Sequence, residues 1–479
     1  VSTISRRVFL LVALVAACLS GLPALASSTD AAPAVTMVSV SHDTYLAHSE
    51  PALAENPLNH NNLLAASKMF TDIDHYSFGV GTYYSMNGGR TWHDNGLLPG
   101  LEQYKHGLVS DVSIAFGPGG TAYVCVLGWD QADTTGVYVL RSRDGGKTFS
   151  APVPVYVDTT GGITNDKPWI TVDTSHGPNR GTVYVAWNAD GVGADAQDPD
   201  SAGRQSHVGG AQLPDGVEVA RSTDAGKTFS TPVEVATFDE DHFYQGAIPA
   251  VAPDGRLYVA FLSMDSSGDA NGMAMVHSDD GGQTFGPVRL GQRGMVGIPF
   301  HLPNCTFRNL SMPTFAISPR DGALVLAWPD YRNGNADVMA STSTNGGKSW
   351  SHAVRVNHDP VGDGKDQFLP VIAVAPDGVF TCAWFDRRFD PGNRLIDEAV
   401  AQSTDDGRTW GHMVRMTPHS WDPAIDAPRP EGKPNNTFIG DYQALAVDNT
   451  TVHPLWNDTE NGTSQQIHTA IAGIELFRR

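Results

Sequence analysis

One octapeptide pattern, Ser-x-Asp/Asn-x-Gly-x-Thr/Ser-Trp/Phe, occurs six times in this 479-residue chain. The copies begin at Ser85, Ser142, Ser222, Ser278, Ser343 and Ser403 and end at Trp92, Phe149, Phe229, Phe285, Trp350 and Trp410. Their starts are separated by 57, 80, 56, 65 and 60 residues. Six copies in one phase fix a repeat architecture before any chemistry is considered, because quasi-identical modules bury their apolar faces by stacking. Within each copy the Asp or Asn suits a side-chain acceptor for backbone N–H groups, and the Gly suits a turn that a Cβ would forbid. The Asp144, Asp224, Asp280 and Asp405 acids are therefore read as turn formers, not catalysts.

Each octapeptide closes a longer unit. Phe368 to Ala375, the turn Pro376-Asp377-Gly378, Val379 to Trp384, Ile396 to Gln402 and Met413 to Met416 read as four short strands joined by hairpin chemistry. Similar runs recur at Val251 to Phe261 and at Ile317 to Trp328. Four antiparallel strands per repeat predict an all-β propeller, with seven blades, or six if the first or last unit is irregular. The last unit, Phe438 to Ala472, lacks the octapeptide and one strand; Thr36 to His42 can supply that strand and close the ring. Residues 36–479 are thus one propeller domain, preceded by a segment (1–35) of different character.

That segment places Arg6-Arg7 before an apolar run ending near Ala24-Leu25-Ala26, the layout of an export signal. A twin-arginine signal and an ordinary secretory signal both fit, and Val15-Ala-Ala-Cys18 also fits a lipoprotein cleavage site. All three place the mature protein outside the cytoplasm, as an extracellular, periplasmic or cell-surface protein. No later run is long and apolar enough to span a bilayer. With Lys+Arg 31 against Asp+Glu 52, the net charge of -21 disfavours nucleic acid and anionic membranes as partners. The chain is read as a monomer. Cys125 and Cys382 lie in apolar strand-like runs, so no disulfide with Cys305 and no thiolate metal site is expected. Seventeen histidines show no ligand spacing, so no metal site is assigned and no cofactor is required; Asp-rich loops such as 190–200 suit a structural calcium ion.

In a propeller the concave mouth over the axis gathers residues from many blades. Aligning the units puts Asp111, Asp166-Lys167, Tyr244-Gln245, Arg308-Asn309, Asp366-Gln367 and Asp441-Tyr442 at the starts of the innermost strands. A second set follows the second strands: Asp330 and Arg332 after Trp328, Asp386, Arg387 and Arg388 after Trp384, and Asp458 after Trp456. A polar set converging on one mouth predicts a ligand site that includes Gln245, Gln367, Arg308, Arg387 and Arg388.

The octapeptide resembles the Asp-box, or BNR repeat, of the sialidase-like propellers. In exo-sialidases of that group an Arg-x-x-Leu run precedes a late box, and a strand bearing Tyr-Ser-x-Leu follows it. Here Arg394-Leu-Ile precedes Ser403, and Asp441-Tyr442-Gln-Ala-Leu445 follows. The resemblance implies a secreted glycosidase acting on an acidic or complex glycan. Tyr442 would be its nucleophile, Arg394 and Arg332 carboxylate-binding arginines, and Asp111, Asp166 or Asp441 its acid and base. The early Arg-Ile-Pro of those enzymes is missing; Arg90 lies inside a box, and Asp441 is the neighbouring acid of Tyr442 where a Glu is expected. The same box also occurs in propellers that only bind, so a non-catalytic partner of glycan or protein is the alternative.

Overall fold

The structure, a computed structural model, describes residues 35–101, 108–129, 135–159, 162–191, 216–239, 242–433 and 435–478. The export-like segment with Cys18, and most of the Asp-rich loop 190–200, lie outside the described residues. Among the described residues, 28 strands form seven four-stranded antiparallel sheets. Their innermost strands are β2 (Ala47–Asn56), β6 (Leu108–Phe116), β10 (Ile163–Val172), β14 (Phe243–Val251), β18 (Thr314–Ile317), β22 (Gln367–Val374) and β26 (Ala444–Val447). Each contacts the next in chain order, and β26 returns to β2. The fold is a seven-bladed propeller; the six-bladed alternative is set aside.

Closure uses both ends of the domain. Strand β1 (Thr36–Ser39) pairs antiparallel with β28 (Gln466–Gly473), Thr36 opposite Ile471 and Ser39 opposite His468. The Val40 amide then donates to the Ile467 carbonyl at 2.8 Å, with Val40 fully buried. Blade seven is therefore β26, β27 (Thr451–Asp458), β28 and the N-terminal β1.

The blades stack on large side chains of their second strands. Trp187, Trp328, Trp384 and Trp456 hold the same register position and are fully buried. Burial obliges each indole N–H to find an acceptor. Trp328, Trp384 and Trp456 donate to Asp330, Asp386 and Asp458 at 2.9, 2.8 and 2.6 Å, and Trp187 donates to Asn165 at 2.8 Å.

Every octapeptide Ser is the last residue of a third strand. Ser142 donates to Asp144 at 2.8 Å and accepts the Gly146 amide at 2.8 Å, while Asp144 accepts the Thr148 amide and hydroxyl at 3.0 and 2.6 Å. Gly146 has φ 94°, and a Cβ there would lie 2.6 Å from Leu64 of the preceding blade. The turns also bind neighbouring blades: Asn62 donates to the Gly145 carbonyl at 2.9 Å, Arg221 to Gly281 at 3.0 Å and Thr342 to Asp406 at 2.6 Å. Because third strands run parallel to innermost ones, all six turns sit at the strand ends opposite the innermost-strand starts.

Cys125 and Cys382 are buried and Cys305 half-buried, all three as free thiols. No helix among the described residues is long and apolar enough to cross a membrane.

Closure by β1 predicts that a chain beginning at residue 42 loses at least about 3 kcal/mol, from the lost burial of Val40 and the lost ladder bonds. Thermal unfolding followed by circular dichroism should show a lowered Tm; an unchanged Tm would remove the closing role.

Candidate functional site

The innermost strands share a local irregularity that decides what faces the axis. Strands β2, β6, β10, β14 and β22 each slip register by a bulge near their start. The first bulged residue is left-handed in each: Glu50 (φ 51°), Asp111 (52°), Lys167 (48°), Gly246 (70°) and Leu369 (48°). A bulge re-aims side chains that a regular strand would send to alternating sheet faces. By register, Met312 and Tyr442 hold the same place in the fifth and seventh blades.

Four of these positions, Glu50, Asp111, Lys167 and Tyr442, carry chemistry, and Lys68, Asp166, Arg308 and Asp441 join them. Lys68 of β3 (Asn59–Asp72) places its Nζ 2.6 Å from Glu50 Oε2. Asp441 accepts Lys167 Nζ at 2.8 Å and both Nε and Nη2 of Arg308 at 2.9 and 2.5 Å. Asp111 accepts the Ser110 hydroxyl at 2.6 Å and the Lys167 amide at 3.2 Å, with Asp166 beside it. The Phe438 ring lies between two cations, 4.8 Å from Lys68 and 4.9 Å from Arg308. Tyr442 packs edge-on against Trp169 with centroids 5.3 Å apart, and its hydroxyl donates to the Val112 carbonyl at 3.4 Å.

Glu50, Lys68, Asp111, Lys167 and Asp441 are buried, whereas Asp166, Arg308, Tyr442, Trp169 and Tyr76 remain partly open. The partly open members, three aromatic rings, one carboxylate and one guanidinium, adjoin the buried ion cluster: Tyr76 packs edge-on against Phe438 with centroids 5.8 Å apart, and Trp169 packs edge-on against Tyr442. The environments separate the acids. Burial pushes Glu50 up, and the Asp111 and Asp441 charges push the same way against Lys68. Burial would also raise Asp111, but Lys167 and Lys68 outweigh it and hold the carboxyl down to about 2. Arg308 and Lys167 likewise outweigh burial at Asp441 and lower it. Burial and the surrounding carboxylates raise the Tyr442 phenol well above its ordinary value, so it stays protonated.

The sequence-derived residues divide accordingly. Tyr442, Asp441, Asp166, Asp111 and Arg308 are brought together. Arg308 reaches the cluster from the connection before β18 and not from the strand itself. The other arginines are engaged elsewhere. Arg332 donates to both oxygens of Asp330 at 2.7 and 2.6 Å, and Arg388 to those of Asp386 at 2.9 and 2.8 Å. Arg387 is fully buried over the Phe307 and Phe368 rings and donates to the Pro303 carbonyl at 2.9 Å. Arg394 pairs with Asp422 at 2.6 Å on an exposed loop. Gln367 donates to Asp359 at 3.0 Å and accepts Asn357 at 2.8 Å, inside blade six. Gln245 lies on β14, one residue before its bulge.

Sequence reasoning missed Glu50, Lys68, Tyr76 and Trp169. A signal existed for two of them. Glu50-Pro51 repeats the polar-Pro step of Lys167-Pro168, and Lys68 is a lone lysine inside the run Leu63 to Phe70.

Residues 213–454 match the model of a family described as BNR repeat-like domain. No curated protein matches the sequence. Among solved structures, a Dyadobacter fermentans protein of unknown function is 13% identical, covering 92% of this chain and 100% of its own, with TM-score 0.48. A Hadza microbial sialidase is 17% identical over 86% of this chain and 76% of its own, with TM-score 0.46. A Penicillium chrysogenum alpha-L-arabinanase is 11% identical over 92% and 99%, with TM-score 0.45.

Lys68→Met leaves the Glu50 charge buried without its partner and should cost about 3–5 kcal/mol in urea unfolding; adding Glu50→Gln should recover a large part, and additivity of the two losses would refute the pairing. Asp111 and Asp441 titrate lower in the folded chain than unfolded, so their stabilisation is present above about pH 4. It is lost as pH falls toward 2, and Asp111→Asn should flatten the acid limb of a stability-against-pH curve.

Proposed function

Because this chain belongs to the BNR repeat-like domain family, we propose that it is a glycan-active, sialidase-like propeller working as a glycoside hydrolase at its axial mouth. The observation that carries this reading is the set of Trp169, Tyr442 and Tyr76 with Asp166 and Arg308 beside acids of opposed protonation. Aromatic rings supply flat apolar faces for the C–H face of a sugar, and the flanking charges bond its hydroxyls. Glycoside hydrolysis needs a proton donor for the leaving oxygen and an ionised base. Asp166, the carboxyl open to the mouth, is assigned as acid. Tyr442 is assigned as nucleophile, a carboxylate of the cluster taking the phenolic proton as the oxygen bonds to the anomeric carbon.

The positions of the arginines bear on the substrate. Arg308 is the arginine at the cluster, and Asp441 already holds it in bidentate fashion; a sugar carboxylate would compete with that pair. A complex glycan recognised by stacking fits this mouth better than one gripped by three arginines. The export-like segment 1–35 supports action outside the cytoplasm, with residues 36–479 as the working domain.

One observation favours the non-catalytic alternative. Glu50 with Lys68, and Asp441 with Lys167 and Arg308, are already ion-paired, which suits a rigid floor beneath a binding surface.

The test is fluorophore release from a panel of 4-methylumbelliferyl glycosides, the sialoside and arabinofuranoside included. One substrate should be cleaved, with kcat lowered about 10²–10⁴-fold by Asp166→Asn and by Tyr442→Phe. No release by folded protein across the panel would remove the hydrolase reading. Retention of a glycan on an array, lost in Trp169→Ala, would then establish the binding one.

A further inference from the structure

The seam where blade one meets blade seven holds a cluster that no part of the axial chemistry uses. Glu55 lies near the end of β2, His60 at the start of β3, and Asp448 in the turn between β26 and β27. These are the strand ends opposite the mouth. His60 Nδ1 contacts Glu55 Oε1 and lies 3.7 Å from Asp448 Oδ2, and one ligand atom from each residue falls within 4.8 Å of the others.

Three features distinguish the cluster from an incidental acidic patch. The Glu55 side chain is about nine-tenths buried, 10% exposed, and its Oε2 has no hydrogen-bond partner. Asp448 is fixed: its Oδ1 accepts the Thr450 and Thr451 amides and hydroxyls, with the Thr450 hydroxyl at 2.7 Å, which leaves Oδ2 turned toward His60. Among the described ion pairs, neither carboxylate is given a lysine or arginine; the imidazole is their shared partner. Two carboxylates thus meet at low exposure across one imidazole. Such a pair is relieved by a cation placed between them.

We propose that Glu55, His60 and Asp448 form a divalent transition-metal site of the zinc class that ties blade one to blade seven. One imidazole nitrogen with two carboxylates matches the ligand preferences of Zn²⁺ and its neighbours, whereas calcium and magnesium favour all-oxygen sets. His60 is 59% exposed, so the fourth position opens to water. Two of the ligands come from the beginning of the folded chain and the third from near its end, so binding adds a second fastening to the β1–β28 pairing and stabilises the closed ring by linkage.

Isothermal titration of the chelator-treated protein with ZnCl₂ tests the site, with thermal unfolding alongside. Wild type should bind one equivalent at this site, and Tm should rise by about 3 °C at a hundredfold excess over Kd. His60→Ala alters an exposed side chain and should fold normally, with Zn²⁺ affinity at least tenfold lower and the Tm rise abolished. Glu55→Gln should do the same. Absence of Zn²⁺ binding by wild type, or binding and Tm gain unchanged in both variants, would overturn the proposal. Preference for Ca²⁺ over Zn²⁺ would overturn the assigned metal class.

Discussion

The left-handed bulge near the start of the innermost strands is the constraint on which this site depends. A regular strand would alternate its side chains between neighbouring blades. The bulge instead inserts a left-handed residue, in five strands, and in three of them that residue, Glu50, Asp111 or Lys167, joins the ion cluster. For Glu50, Asp111, Lys167 and Leu369 the backbone costs about 1–3 kcal/mol each relative to an ordinary extended residue. Such conformations persist only where the surroundings over-determine them. Here the surroundings are each other: Lys68 against Glu50, Asp441 against Lys167, and the Lys167 amide on Asp111. Strain and charge pairing are two sides of one arrangement.

That arrangement has consequences for what the mouth can do. Buried charges that pair with one another hold the cluster in place before any ligand arrives. Preorganised charge is what a site needs when it must stabilise a transition state without first reorganising. It is also what a binding surface needs to hold aromatic rings in place. The distinction lies at the open members. Asp166 and Tyr442 reach the mouth, whereas Glu50, Lys68, Lys167 and Asp441 act from beneath it. Chemistry, where it occurs, must pass through those open groups.

The sequence made the fold legible and the site half so. The octapeptide spacing and the four-strand units carry blade number, strand order and the closing role of Thr36 to Ser39, because period-2 strands and Asp-Gly turns are local signals. Asp111, Asp166, Asp441 and Tyr442 are legible as neighbours because each lies close to the start of a recognisable innermost strand. Arg332, Arg388 and Arg394 pair with Asp330, Asp386 and Asp422, acceptors as good for an arginine as a substrate carboxylate, and which acceptor wins is a matter of three-dimensional reach that sequence does not carry. Lys68 escaped because strand pairing, not spacing, brings it to Glu50. Asp448 lies far in sequence from Glu55 and His60, and no ligand-spacing rule joins residues that meet only when a ring closes.

The two ends of the blades therefore do different work. Antiparallel connection sends every octapeptide to the end opposite the mouth, where its acid is consumed by its own turn: Asp144 and Asp405 accept from Ser, Thr and backbone, and those bonds lower their carboxyls despite burial acting the other way. The turns bind blade to blade through Asn62, Arg221 and Thr342, so the most repeated motif of the chain sets the spacing of the blades. Blade spacing in turn sets the width of the mouth and the reach of Lys167 to Asp441, which lie 274 positions apart in sequence. The motif most visible in the sequence thus governs the site from the far end of the strands, by fixing the scaffold on which the less visible, non-repeating residues converge.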